Sequence, residues 1–266
     1  MTIMAATVTA GLLVATTSLA SGATFAIKSK PVEYKMGDQT FEGWFAYPQT
    51  AKAKIPGVLM VHNWLGLSDE TKKQAERVAK LGVAVFAVDV YGKGVRAKEA
   101  KEAIALAGKY KGDRKLFRER LERGLEVLRE QKGVDGGQVV AVGYCFGGTG
   151  VIELARAGAD VKAVVSFHGG LDSPNPSDGK NIKARVVVLQ GADDPYVKAS
   201  DIVAFQNEMR SHGVDWQMTV YGGAVHSFTD VGAGSDVKTG AAYNKNADER
   251  SFETFTDLVN DLFLKR

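Results

Sequence analysis

The segment Gly143-Tyr144-Cys145-Phe146-Gly147-Gly148 constrains this chain more than any other. The residues before it, Gln138 to Val142, read as a buried strand, and those from Gly147 through Ala157 read as a helix. A reactive side chain at a strand-to-helix junction, with glycine two positions before and two after, is a nucleophile elbow, here with Cys145 where serine is commoner. The turn is sharp and strained, and a Cβ at either glycine would crowd the strand against the helix. It lifts the sulfur clear of the sheet and aims it at the helix start, where the dipole and free backbone N–H groups favour a thiolate.

Two plainer readings fail on the same residues. A lone cysteine is ordinarily a small buried hydrophobe, but that does not explain its flanking glycines. A dinucleotide-binding loop needs G-x-G-x-x-G in an opening strand–helix unit. Gly143, Gly147, Gly148 and Gly150 do not have that spacing, and no acidic residue ends a second strand about 20 positions on.

The length of 266 residues suits one domain, residues 31–266, with a short N-terminal appendage. A net charge of +3 with dispersed lysines and arginines gives no footprint for nucleic acid. The densest basic patches, Lys72-Lys73 and Arg118-Arg120-Arg123, alternate with acids on helices and read as solvated faces. One cysteine allows no internal disulfide, and zinc-type Cys/His spacings are absent from the sequence. Met1 to Ile27 carry no charged side chain. The apolar run Ile3 to Ala20 ends in Ser18-Leu19-Ala20, the pattern of a cleaved export signal over residues 1–20, although no Lys or Arg precedes it. The expected location is therefore periplasmic or secreted. The run has too many small polar residues for a membrane anchor.

From Pro31 the chain opens with a predicted hairpin, Pro31 to Tyr34 and Thr40 to Ala46, turning at Met36-Gly37-Asp38. The alternation of Phe41, Gly43 and Phe45 fits a sheet edge. Strands then alternate with helices. Gly57–Val61, Val83–Val88, Gln138–Val142, Val161–Phe167, Ala184–Leu189 and Trp216–Tyr221 are predicted strands. Ser68–Leu81, Lys98–Ala107, Asp113–Gln131, Ser200–Ser211 and roughly Ala241–Leu264 are predicted helices. This pattern predicts an α/β fold with a mostly parallel central sheet, helices on both faces and a short N-terminal antiparallel hairpin.

In such a sheet ligands bind beyond the carboxyl ends of the strands. The residues found there include Asn63-Trp64, Asp89 to Gly92, Cys145, His168, Asp193-Asp194 and His226-Ser227-Phe228. The order Cys145, Asp194, His226 is nucleophile, acid, base, the chain order of α/β-hydrolases. Cys145 would attack an acyl carbon, His226 would carry the proton, and a carboxylate would hold the imidazole tautomer. Asp194 is preferred to Asp193 because it stands three after Gly191 and just before Pro195. The N–H groups of Phe146 and Trp64 are the expected oxyanion donors. His62 reads as a tie for the oxyanion loop and His212 as a helix C-terminal cap. His168 either lines the pocket or braces its loop, and Asp89 equally suits the site or a turn cap. Trp64, Tyr91, Phe146, His168 and Phe228 suggest an aromatic-lined cleft.

Val61-His62-Asn63-Trp64-Leu65-Gly66, Asp89-Val90-Tyr91-Gly92, the Cys145 segment, Gly191-Ala192-Asp193-Asp194 and His226-Ser227-Phe228 together resemble the dienelactone hydrolase family, from about Pro31 to the C-terminus. The resemblance implies an α/β-hydrolase fold, a Cys145–His226–Asp194 triad, no cofactor and a monomer. The chain departs from the best-known members in having Asn63 where they have a glutamate that pairs with the resting thiol. It has Lys93 and Asp230 at what look like the places of their substrate-binding arginines. An aspartate beside a substrate carboxylate repels it, so a small neutral ester or lactone is the expected substrate. Asn63, Tyr91, Lys93, His168 and Phe228 are its candidate contacts. The alternative from another class is a non-hydrolytic ligand-binding or thiol-redox protein on the same fold.

Overall fold

The computed structural model describes residues 25–50 and 52–264; the export-like stretch over residues 1–20 lies outside the described residues. Eight strands form one sheet in the order β1-β2-β4-β3-β5-β6-β7-β8. They are β1 (Ile27–Met36), β2 (Gln39–Pro48), β3 (Ile55–Val61), β4 (Ala84–Val88), β5 (Val134–Tyr144), β6 (Ala163–Phe167), β7 (Arg185–Gly191) and β8 (Trp216–Tyr221). β1 and β2 pair antiparallel and β2 joins β4 antiparallel, whereas β3 through β8 are parallel to one another. The helices are α1 (Asp69–Ala79), α2 (Ala100–Gly112), α3 (Arg114–Glu130), α4 (Phe146–Arg156), α5 (Ala199–Ser211) and α6 (Lys245–Val259).

The parallel strands are continuously apolar because both of their faces are covered. Along β3 the side chains alternate between two cores. Leu59 and Val61 face the layer formed by α2, α3, α4 and α5, while Val58 and Met60 face α1 and α6. Among the described residues no helix is long and apolar enough to cross a membrane.

Four differences from the expected elements have local causes. β2 is interior, because β1 takes the edge; a Cβ at Gly43 would overlap the Phe86 ring of β4, so glycine there lets β2 join the sheet. β5 starts at Val134, ahead of a register shift opposite Pro56 and Gly57, and Gly136-Gly137 conceals that start in the sequence. α2 does not stop at Ala107 but runs through Gly108 to Gly112, where Asp113 caps α3 by accepting from Leu116 N–H. The last helix begins at Lys245, not Ala241, with Asn244 as its N-cap.

The arginines of α3 are not a solvated face. Arg118 pairs with the buried Glu153 at 2.7 Å and with Asp178. Arg120 lies over the Phe41 ring at 4.3 Å, and Arg123 pairs with Glu126 and Glu130. They join α3 to α4, to β2 and to the loop after β6. Their long stems and forked heads suit that bridging role.

Candidate active site

The chain winds outward in one direction from β3 to β4 and in the other from β5 onward, so the sheet order reverses between β3 and β5. Ligand crevices form at such switch points, and the loops carrying Trp64 and Cys145 leave these two neighbouring strands. Cys145 has φ 56° and ψ −113°, a conformation few side chains tolerate. The turn is possible because the residues two positions before and two after it are glycine. A Cβ at Gly143 would overlap the Gly147 carbonyl, and one at Gly147 would overlap the Val61 carbonyl of β3. The Cys145 N–H is anchored to the Phe167 carbonyl at 3.0 Å.

Three side chains are hydrogen-bonded in series. Cys145 Sγ lies 3.1 Å from His226 Nε2, and His226 Nδ1 lies 2.8 Å from Asp194 Oδ2. Asp194 is buried, whereas its neighbour Asp193 is exposed. Gln190, at the end of β7, donates to Asp194 Oδ2 at 2.8 Å, and Tyr196 N–H donates to Oδ1 at 2.9 Å. The His226 backbone is clamped by residues ahead of α6: its N–H donates to Gly240 O and its carbonyl accepts from Ala242 N–H. The next residue, Ser227, has φ 57°. Burial opposes a charge on His226, but its hydrogen bonds to Asp194 and Cys145 outweigh burial and push its pKa up to about 10.

The loop after β3 is built by its own polar groups. Asn63 Oδ1 accepts from Leu65 N–H at 3.0 Å, and Asn63 O accepts from Gly66 N–H. His62 Nδ1 lies 2.6 Å from Asn63 O while Nε2 faces Val90 N–H at 3.2 Å. A carbonyl can only accept and a backbone N–H can only donate, so the ring is neutral with its proton on Nδ1. Burial favours the same state and lowers its pKa to about 4. Tyr91 OH donates to Trp64 O at 3.0 Å from beneath the loop. Trp64 and Phe146 then border the cavity beside Cys145, and the Phe146 N–H opens α4, where first-turn amides have no intrahelical acceptor.

The cavity holds about 490 Å³. Its walls correct most of the expected substrate contacts. Asn63 is folded onto its own loop. Tyr91 and Phe228 are buried behind the wall, Phe228 edge-on to the His168 ring. His168, at φ 40°, is also buried; its Nε2 bonds Thr229 Oγ1 at 2.8 Å and its ring packs 5.3 Å from that of His226. Of its two expected roles the structure therefore gives it the brace. Lys93 pairs with Glu33 and Glu42 of the hairpin, and Asp230 caps a short turn through Gly232 N–H, so neither charge reaches the cavity. Asp89 caps the turn after β4, accepting from Tyr91 and Gly92 N–H.

Sequence reasoning missed one wall of the cavity. Ile104, Ala107, Gly108 and Lys111 of α2 line it, joined by Tyr196 and Val197 from the loop after β7. The spacing i, i+3, i+4, i+7 marks one helical face, but its mixed composition gives no hydrophobic stripe to read.

Residues 41–263 match the sequence profile of the dienelactone hydrolase family. The chain belongs to that family. A solved structure described as a dienelactone hydrolase-like promiscuous phosphotriesterase from metagenomic libraries is 39% identical. It covers 90% of this chain and 99% of its own, with a TM-score of 0.85. Protein usf of Aquifex pyrophilus is 27% identical over 74% of this chain and 85% of its own length. A Bradyrhizobium protein named "Probable 2-oxo-3-(5-oxofuran-2-ylidene)propanoate lactonase" is 24% identical over 66% of this chain and 74% of its own. As a dienelactone hydrolase family member the protein is a hydrolase on an α/β-hydrolase fold.

Proposed function

We propose that this protein hydrolyses small neutral carboxylic esters or lactones through Cys145, His226 and Asp194. The observation that carries the reading is the unbroken series from sulfur to imidazole to carboxylate, opening into a cavity whose walls are mostly apolar. With its pKa pushed up to about 10, His226 holds its proton at neutral pH 3.1 Å from the sulfur, and the species that adds to a carbonyl is the thiolate rather than the thiol. The sulfur adds to the carbonyl carbon, and the resulting oxyanion is received by the Trp64 and Phe146 N–H groups. Collapse breaks the C–O bond, His226 Nε2 gives its proton to the departing oxygen, and a thioester remains. Water then adds to the thioester, losing a proton to His226, and the acid leaves as the thiolate re-forms. Asp194, fixed by Gln190 and Tyr196, keeps the other ring proton on Nδ1 throughout.

A neutral substrate is favoured by where most of the charges lie. Lys93 and Asp230 point elsewhere, and Lys111, at the end of the α2 wall, shares Asp172 with Arg114, at 3.9 Å and 2.6 Å, so it is offset only in part. A neutral phosphotriester meets the same requirements, and the 39% identical relative is described as a promiscuous phosphotriesterase. The deciding experiment measures hydrolysis of p-nitrophenyl acetate, a small lactone and a diethyl aryl phosphate by wild type and Cys145→Ala. The variant is expected to lose at least about a thousandfold in kcat/KM on the esters while keeping its circular dichroism. Equal turnover by the variant refutes cysteine catalysis. No turnover by wild type, with rapid oxidation of Cys145 by peroxide, would favour a thiol-redox protein.

The uncharged apolar run over residues 1–20 supports export of this enzyme. N-terminal sequencing of the protein from its native host tests that, with an intact Met1 as the contrary result.

A further inference from the structure

We infer that Gly108 sets the size of an apolar substituent that the substrate lays against α2, making it a specificity-determining residue of this site. The inference rests on the hydrolase reading above. Gly108 lies inside α2 and lines the cavity together with Cys145. Glycine in a helix interior is destabilising relative to alanine, and at the interior glycines of α3 and α4 packing accounts for it. A Cβ at Gly124 would overlap Val88, and one at Gly150 would crowd the Phe117 ring. At Gly108 an added Cβ meets no atom within 4 Å. Nothing in the folded protein occupies the space a side chain would fill there, and that space belongs to the cavity.

The surroundings give the chemical class of the occupant. Ile104 and Ala107 flank Gly108 on the same face, and Tyr196 stands on the rim. Ile104 is 64% exposed and Tyr196 61% exposed, the two largest of the exposed apolar side chains among the described residues. A solvent-facing isoleucine and tyrosine around an apolar recess suit a hydrocarbon or aryl group, whose burial removes their surface from water. Lys111, one turn beyond Gly108, ends the apolar strip. A substrate fitting this wall is a neutral ester carrying a chain of several carbons or a ring.

The test compares p-nitrophenyl acetate with p-nitrophenyl hexanoate, and an acetate series in which the alcohol is lengthened, on wild type, Gly108→Ala and Gly108→Leu. Gly108→Ala should unfold at the same or a higher temperature, which establishes that the position tolerates a side chain. Gly108→Leu should lower the ratio of kcat/KM for the long ester over the short one by about tenfold or more in one of the two series. An unchanged ratio in both series overturns the inference, as does a lower unfolding temperature for Gly108→Ala. Labelling of Cys145 by N-ethylmaleimide and by N-(1-pyrenyl)maleimide reads the same wall without catalysis. Gly108→Leu should slow the bulky reagent selectively, and equal slowing of the two refutes the wall even if no ester is turned over.

Discussion

Gln190 donates a 2.8 Å hydrogen bond to Asp194 Oδ2, the same carboxylate oxygen that faces His226 Nδ1. Gln190 is 1% exposed at the end of β7, so the bond is shielded from water. Charge-assisted hydrogen bonds of this kind are worth about 1.5–3 kcal/mol. Gln190→Leu is therefore expected to lower kcat/KM by roughly tenfold while the unfolding transition stays cooperative. Steady-state kinetics with p-nitrophenyl acetate measures it, and full activity in Gln190→Leu would mean that Tyr196 N–H alone suffices to hold Asp194.

Gly143 has no freedom to change. Its Cα faces the backbone of the first turn of α4, so Gly143→Ala must push α4 off β5 or distort the elbow. Overpacking of this kind costs about 1–3 kcal/mol, and more where backbone has to move. Urea unfolding of Gly143→Ala should show a loss at or above the top of that range, with activity falling alongside. An unaltered midpoint would show that the elbow can flex.

His62 predicts an acid limit. Its folded pKa, about 4, lies below the ordinary 6.5, so the unfolded chain binds more protons between these values. The stability tied to neutral His62 is complete above pH 6.5 and is lost as pH falls to about 4. Protonation would put a hydrogen on Nε2 against Val90 N–H and loosen the Trp64 loop. His62→Gln should flatten this part of the stability profile, read by thermal unfolding between pH 4 and 7. A parallel profile in wild type and variant would remove His62 as the cause.

His226 works in the opposite direction. Its folded pKa, about 10, lies above 6.5, so the stability it contributes is complete below pH 6.5 and is lost as pH rises to about 10. The difference in unfolding temperature between wild type and His226→Gln should shrink across this window. A difference that stays constant to pH 10 would mean that the protonated imidazole is not what Asp194 and Cys145 stabilise.

The parts that were legible in the sequence share one property: the information for them is local. Each parallel strand is a short apolar run, and the elbow is six consecutive residues. Cys145, Asp194 and His226 each follow their strand closely, so the topology of a parallel sheet brings them together without further knowledge. Element ends were harder. Gly108 looks like a helix stop by propensity, yet α2 continues through it, with Ala107 and Tyr110 buried on either side.

The sequence by itself determined the fold and the places of Cys145, Asp194 and His226 at the ends of their strands, because strand periodicity and glycine sterics act over a few residues. Tertiary structure decided what surrounds them. Lys93 is drawn to Glu33 and Glu42 on strands paired across the hairpin. The cavity wall comes from α2, packed over the sheet far from the elbow in the chain. Which charge meets which partner, and which face of α2 overlooks the sulfur, depends on contacts between residues tens of positions apart, and no local pattern encodes them.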